Sequence, residues 1–307
     1  MIAFLFPGQG SQYVGMGKEL ATLHPVARET FEEADATLGL KLSQLCFEGP
    51  EDQLKLTENT QPAILTVSVA AYRVLREKGQ ACQYAAGHSL GEYSAHVAAG
   101  TIKFADAART VRKRGRYMQE AVPVGQGAMA AILGLATAEV AQLCDDAAQG
   151  EVVQLANINS PGQLVISGHK TAVERAAELA RHRGAKKAIM LPVSAPFHCA
   201  LMQPAQERLA ADLRELNFRD PEFPIIKNID AEPVATADAA REALINQVSG
   251  AVQWEQSMRA LITAGVGKFV EVGPGKVLCG LMKQIDRSQT CKKTDDEASL
   301  QELIAAS

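Results

Sequence analysis

The chain has 307 residues, long enough for a large core in one big domain or two smaller ones. With 31 Lys+Arg against 35 Asp+Glu its net charge is −4, which offers no basic patch for nucleic acid. It is 47% hydrophobic, and its 5% aromatic content beside abundant alanine favours helix-rich α/β packing over an all-β sandwich.

IAFLF (2–6) is a short continuous apolar run closed by Pro7 and Gly8, the pattern of a buried strand. No basic region precedes it, so it does not read as a signal peptide. No apolar run reaches the ~18 residues of a membrane span. A cytoplasmic protein without membrane contact is the expectation. PAILTVSVAAYRVLREK (62–78) reads as a helix with Pro at its start and Gly79 after its end. Tyr84-Ala85-Ala86 reads as a short strand. Gly87-His88-Ser89 then turns into a small-residue helix from about Leu90 to Ala99. FADAARTVRKRGRYM (104–118) reads as an amphipathic helix.

The middle of the chain changes character. GAMAAILGL (127–135) reads as a strand, TAEVAQLCDDAAQ (137–149) as a helix, and VVQLANI (152–158) and QLVISG (163–168) as strands joined by Asn159-Ser160-Pro161-Gly162. TAVERAAELARHRG (171–184) is a helix and KKAIMLPV (186–193) a strand. The order β-α-β-β-α-β is ferredoxin-like. Near the end, KFVEVGPG (268–275) repeats strand, turn and helix. SQTCKKTDDEAS (288–299) is polar and reads as a mobile stretch before a short terminal helix. The fold class is therefore α/β: a large domain of residues 1–124 and 194–307 on a mainly parallel sheet, with a small α+β domain, 125–193, inserted. Cys46, Cys82, Cys144, Cys199, Cys279 and Cys291 show no CxxC and no pairing pattern, so six reduced thiols are expected, with neither a disulfide framework nor a zinc site.

The chemistry begins at GHSLGEYSA (87–95). In a G-x-S-x-G turn between strand and helix the serine is held outward, and the next backbone N–H faces the reacting carbonyl. The helix N-terminus adds positive potential for an oxyanion. Ser89 is thus either a nucleophile or part of a tight turn, and a nucleophilic hydroxyl needs a base. His24, His96, His169 and His182 fall on helices or their edges among polar neighbours and read as surface or structural. His198, in SAPFHC directly after a strand, lies where α/β folds build sites. His88 flanks the serine but should point away from it. No Asp or Glu occupies an obvious triad position, so a dyad oriented by a backbone carbonyl stays open.

Arg114 falls on the apolar stripe Phe104, Ala107/Ala108, Val111 and Met118, whereas Arg112, Lys113 and Arg116 fall off it. An inward arginine needs a partner. That partner is either a core carboxylate or a substrate carboxylate gripped bidentately.

Together, FPGQGSQ (6–12), GHSLGEYSA (87–95), RGRYMQEA (114–121), NSPGQ (159–163), PFH (196–198), NQVSGAVQW (246–254) and EVGPG (271–275) closely resemble the malonyl-CoA:acyl carrier protein transacylases, in order, from about residue 2 to about residue 285. The resemblance implies an α/β-hydrolase-like large domain with a ferredoxin-like insert. It implies Ser89 as the acylated nucleophile, His198 as its base, and Gln9 and Leu90 as oxyanion donors through backbone N–H. It implies Arg114 on the malonyl carboxylate, and a Gln247 carbonyl that orients the imidazole. Met118 and Phe197 match pocket positions, His88 a supporting one, and Asn159 a place near the site. Malonyl-CoA and an acyl carrier protein are the implied partners. Coenzyme A arrives as a thioester substrate and no metal or redox cofactor is implied. A monomer is expected, and no single basic cluster marks the carrier's dock. Phe197 stands where many relatives have serine, which favours malonyl over methylmalonyl. A polyketide-pathway acyltransferase and a thioester hydrolase share the chemistry, but a general thioesterase has no need of Arg114. A carrier-binding scaffold with a decayed site is disfavoured by the intact Ser89, His198 and Arg114. Gly8-Gln9-Gly10 meets Tyr13 where a dinucleotide fingerprint needs glycine, and Gly275-Lys276-Val277 lacks the P-loop hydroxyl.

Overall fold

The computed structural model describes residues 1–193 and 195–305. The first residue of SAPFHC and the last two of the large-domain range lie outside these. IAFLF forms β1 (Ile2–Phe6), and four of its five residues are buried because both faces of its sheet are covered. Around it stand β2 (Tyr84–Gly87), β7 (Ile225–Ile226), β8 (Pro233–Val234), β9 (Lys268–Glu271) and β10 (Thr290–Lys293) in the order β10-β9-β1-β2-β7-β8. Every neighbouring pair is parallel except β7–β8. The sheet is thus mixed and mostly parallel. Side chains alternate across it: Phe4, Phe6 and Ala85 enter one core, while Ala3, Leu5 and Ala86 meet Trp254, Met258 and Leu281 on the other face. Phe6 pairs with Gly87, and Leu5 with Glu271, so FPGQG, GHS and VGPG leave the same sheet edge together. That carboxyl edge is where parallel sheets place their sites.

A second sheet holds β3 (Gly127–Leu133), β4 (Val153–Ser160), β5 (Gln163–His169) and β6 (Lys187–Met190) in the order β4-β5-β3-β6, all antiparallel. Helices Thr137–Ala148 and Lys170–His182 close a separate core over it. The two sheets are stitched where Ile158 N–H donates to Val252 O at 2.9 Å and Val252 N–H to Ala156 O at 2.8 Å.

Several expectations need correction. The helix expected at 62–78 spans Thr57–Glu77 and encloses Pro62, because Thr57, Thr60 and Gln61 are buried and carry the helix upstream. The tail expected to be mobile contributes edge strand β10, and Asp295 accepts from Tyr13 Oη at 2.8 Å and from Gly275 N–H at 2.6 Å. An edge strand pairs on one side only and needs no apolar sequence. Cys279 and Cys291 are disulfide-bonded, contrary to six free thiols: β10 lies beside β9 and brings Cys291 to the helix Val277–Ile285. Cys46, Cys82, Cys144 and Cys199 are free. His96 is fully buried, and among the described residues neither ring nitrogen has a partner, because its helix, Gly91–Ala98, is enclosed by sheet and helices. His24 meets Glu297 at 2.8 Å. Among the described residues no helix is long and apolar enough to cross a membrane.

Candidate active site

The turn after β2 is shaped by what its glycines allow. A Cβ on Gly91 would come within 2.0 Å of the Phe6 carbonyl oxygen, and one on Gly8 within 2.3 Å of the His88 carbonyl oxygen. The elbow can therefore lie directly on the FPGQG loop, with His88 N–H donating to Phe6 O at 3.0 Å. Ser89 itself has φ 51°, and His198 has φ 58°. Such backbone strain in non-glycine residues gathers where a site over-determines it.

Ser89 Oγ and His198 Nε2 stand 2.7 Å apart. His198 Nδ1 faces two carbonyls, Gln247 O at 3.0 Å and Gly250 O at 3.1 Å. Both are acceptors only, so Nδ1 carries the proton and Nε2 is left bare to accept from the serine hydroxyl. No carboxylate takes part in this orientation. Burial, and next the charge of Arg114, pull the His198 pKa down to about 3, so the imidazole rests as the neutral base.

Arg114 is 1% exposed, on the buried face of the helix Phe104–Glu120. Its Nη1 donates to Gln61 Oε1 at 2.9 Å, and its Nη2 to Gln247 Oε1 at 2.8 Å and to Ser89 Oγ at 3.2 Å. Among the described residues its Nε has no partner and every acceptor in its shell is neutral. The core carboxylate foreseen as one alternative exists, Glu92, but it reaches Arg114 only through Gln247: Gln247 Nε2 donates to Glu92 Oε2 at 2.8 Å. Burial pushes Glu92 up to about 7.

These groups border a cavity of about 140 Å³ lined by Gln9, Gln61, His88, Ser89, Leu90, Arg114, Met118, Met129, Asn157, Leu191, Val193, Phe197 and His198. Of the residues singled out in the sequence, Gln9, Leu90, Met118, Phe197 and His88 line it. Leu90 opens the helix Gly91–Ala98, where backbone N–H groups have no earlier turn to bond. Gln9 Nε2 donates to Thr57 Oγ1 at 3.3 Å. His88 turns from Ser89 and meets Asn159 Oδ1 at 2.8 Å, so Asn159 braces the elbow from β4 while Asn157 takes the lining place. Gln247 lies behind the wall, bonded to Arg114 and carrying the carbonyl under His198.

Sequence reading missed Gln61, Glu92, Asn228 and Gly250. Asn228 Oδ1 accepts from Ser89 N–H at 2.7 Å, and its Nδ2 donates to Gly87 O at 2.7 Å, so one amide holds both ends of the turn. Only Glu92 left a signal, an acid in the first turn of a helix built mostly of small residues.

The acyl transferase domain model matches residues 3–303. The chain is 52% identical over 287 residues to the malonyl CoA-acyl carrier protein transacylase of Bacillus subtilis, covering 93% of this chain and 90% of that protein. It is 51% identical over 299 residues to that of Escherichia coli K12, covering 97% of each. A malonyl-transacylase solved in complex with a type II PKS acyl-carrier protein superposes with a TM-score of 0.98, at 47% identity, covering 100% of this chain and 99% of that one. The chain belongs to the acyl transferase family, among the malonyl CoA-acyl carrier protein transacylases.

Proposed function

We propose that the chain moves the malonyl group of malonyl-CoA to the phosphopantetheine thiol of an acyl carrier protein through a malonyl-Ser89 ester, supplying fatty acid synthesis. The observation that carries this is Arg114, a buried guanidinium bonded only to neutral oxygens and 3.2 Å from the Ser89 hydroxyl. His198 Nε2 takes the proton of Ser89 as Oγ attacks the thioester carbonyl, and the oxyanion forms against the N–H groups of Gln9 and Leu90. As the C–S bond breaks, the coenzyme A sulfur takes that proton from His198. The carrier thiol then gives a proton to His198 and attacks the acyl-serine by the reverse path. Arg114 binds the malonyl carboxylate. That anion offsets the cation which, after burial, most disfavours protonated His198, so a malonyl substrate strengthens its own base.

The same reading assigns every step to groups of the chain and its substrates, with no metal or redox cofactor. It treats 125–193 as a ferredoxin-like insert in an α/β-hydrolase-like large domain, 1–124 and 194–307, which the strand order β4-β5-β3-β6 supports. It places a monomer in the cytoplasm. Intact-protein mass spectrometry after incubation with malonyl-CoA tests the reading: a malonyl mass shift in the wild type and none in Ser89→Ala is expected. A shift retained by Ser89→Ala contradicts it.

A further inference from the structure

Glu92 lies three residues after Ser89, in the first turn of its helix, with no exposed surface. Among the described residues its Oε1 has no partner, so the carboxylate is held through Oε2. A buried carboxylate without an ion pair is costly, yet here it meets only amide donors: Gln247 Nε2 at 2.8 Å and Asn228 N–H at 3.1 Å.

A glutamine side chain has an acceptor end and a donor end, and burial leaves Gln247 to choose between two orientations. As it stands, Nε2 donates to Glu92 Oε2 and to Ser89 O at 2.9 Å, while Oε1 accepts from Arg114 Nη2. Turned over, the amide oxygen would face two acceptors and the NH₂ would face a guanidinium. Because Asn228 N–H donates to Glu92 Oε2, that oxygen stays an acceptor whether or not Oε1 carries a proton; it rejects the amide oxygen, and the arginine rejects the NH₂. The same Nη2 touches Ser89 Oγ, so the polarity of this chain of bonds sets where the guanidinium lies relative to the nucleophile.

We propose that Glu92 is a positioning residue for acyl recognition: its Oε2 fixes the Gln247 amide in the one orientation that offers an acceptor to Arg114, and so holds the guanidinium over Ser89. The proposal rests on reading Arg114 as the partner of the malonyl carboxylate.

The test compares kcat and KM for malonyl-CoA and acetyl-CoA in the wild type, Glu92→Gln, Glu92→Met, Gln247→Met and Arg114→Ala. Glu92→Gln keeps an acceptor for Gln247 and is expected to hold the malonyl-to-acetyl ratio of kcat/KM. Glu92→Met is expected to lower that ratio about tenfold, the effect of losing one hydrogen bond involving a charged group, mainly through KM for malonyl-CoA. Gln247→Met breaks the same link from its other side while keeping the backbone carbonyl, and the same fall is expected. A merely structural role would lower both substrates by one factor and leave the ratio alone, and that outcome overturns the proposal. If Glu92→Met does not fold, an unchanged ratio in Gln247→Met overturns it equally. Arg114→Ala separates the two readings. An unchanged ratio there removes the arginine assignment itself. A collapsed ratio there, with wild-type ratios in both methionine variants, removes only the role of Glu92.

Discussion

Replacing Arg114 with alanine is the most discriminating perturbation of the site. The guanidinium is 1% exposed, so a malonyl carboxylate bound to it as proposed would be taken out of water as well. Removing one partner of a buried ion pair costs ~3–5 kcal/mol. At 1.36 kcal/mol per decade, kcat/KM for malonyl-CoA should fall by roughly 10²–10⁴. Acetyl-CoA has no carboxylate and does not incur that loss. The substitution also leaves Gln61 Oε1 and Gln247 Oε1 without their donor, at about 1–3 kcal/mol each, but this acts on the protein and weighs on both substrates alike. The ratio of the two kcat/KM values, measured by transfer to one carrier protein, therefore isolates the carboxylate contact. Arg114→Lys keeps a charge but loses the planar fork and should recover only part of the ratio. Equal losses for malonyl and acetyl transfer in Arg114→Ala would show that the arginine is structural and that acyl selectivity lies elsewhere.

Asn228→Ala removes the amide that braces both sides of the elbow, so kcat should fall about 10–100-fold with KM for malonyl-CoA nearly unchanged, as expected when positioning of the nucleophile is lost; a rise in KM at constant kcat in steady-state assays would contradict this. Gly91→Ala places a Cβ 2.0 Å from the Phe6 carbonyl oxygen, backbone against backbone, and should yield no cooperative thermal transition near the wild-type temperature, whereas a transition within about 2 °C of it would show that the elbow can shift freely. Phe197 lines the cavity and would fill space beside an acyl group on Ser89, so Phe197→Ser should raise kcat/KM for methylmalonyl-CoA relative to malonyl-CoA by at least about tenfold, the worth of one or two methylenes; an unchanged ratio in competition assays would refute the steric argument. His96 is held down to about 3 by burial, against an unfolded value near 6.5. As pH falls below 6.5 the unfolded chain binds a proton that the native state refuses until about pH 3, so native stability is lost on acidification, by about 1.4 kcal/mol per pH unit for this group. His96→Phe should flatten the dependence of unfolding free energy on pH between about 5.5 and 4 by that amount, and an unchanged slope in urea titrations would rule it out.

What could be read from the sequence follows from which signals are local. IAFLF and KFVEVGPG are legible because a strand covered on both faces must be apolar throughout, and the turns after them are written in glycine and proline. The inward arginine was legible because one helix face is fixed by a period of 3.6, and Arg114 sits on it. The helices between residues 18 and 54 were not read, nor were those at Gln203–Glu215 and Ala237–Asn246, although they cover the sheet. They carry no motif. Their apolar faces are ordinary, and their place is decided by what they cover. β10 escaped because an edge strand needs only one partner and its sequence, TCKK, is polar.

The site divides the same way. Ser89 and His198 each announce themselves at a strand end, but the groups that make them work do so through bonds across the chain. Asn228 is 139 residues from Ser89, and Gln61 is 53 from Arg114. An asparagine that braces a turn looks, in sequence, like any asparagine in a loop. Gln247 shows why this matters chemically. Its backbone carbonyl sets the tautomer of His198, while its side chain joins Glu92 to Arg114. In the proposed mechanism one residue thus ties the base to the cation that would select the acyl group. The nucleophile and its base suffice for acyl transfer to any acceptor. It is the neutral shell around Arg114, two glutamine oxygens rather than a carboxylate, that leaves its charge free for a substrate anion, and no local pattern in the chain reports that the partners are amides.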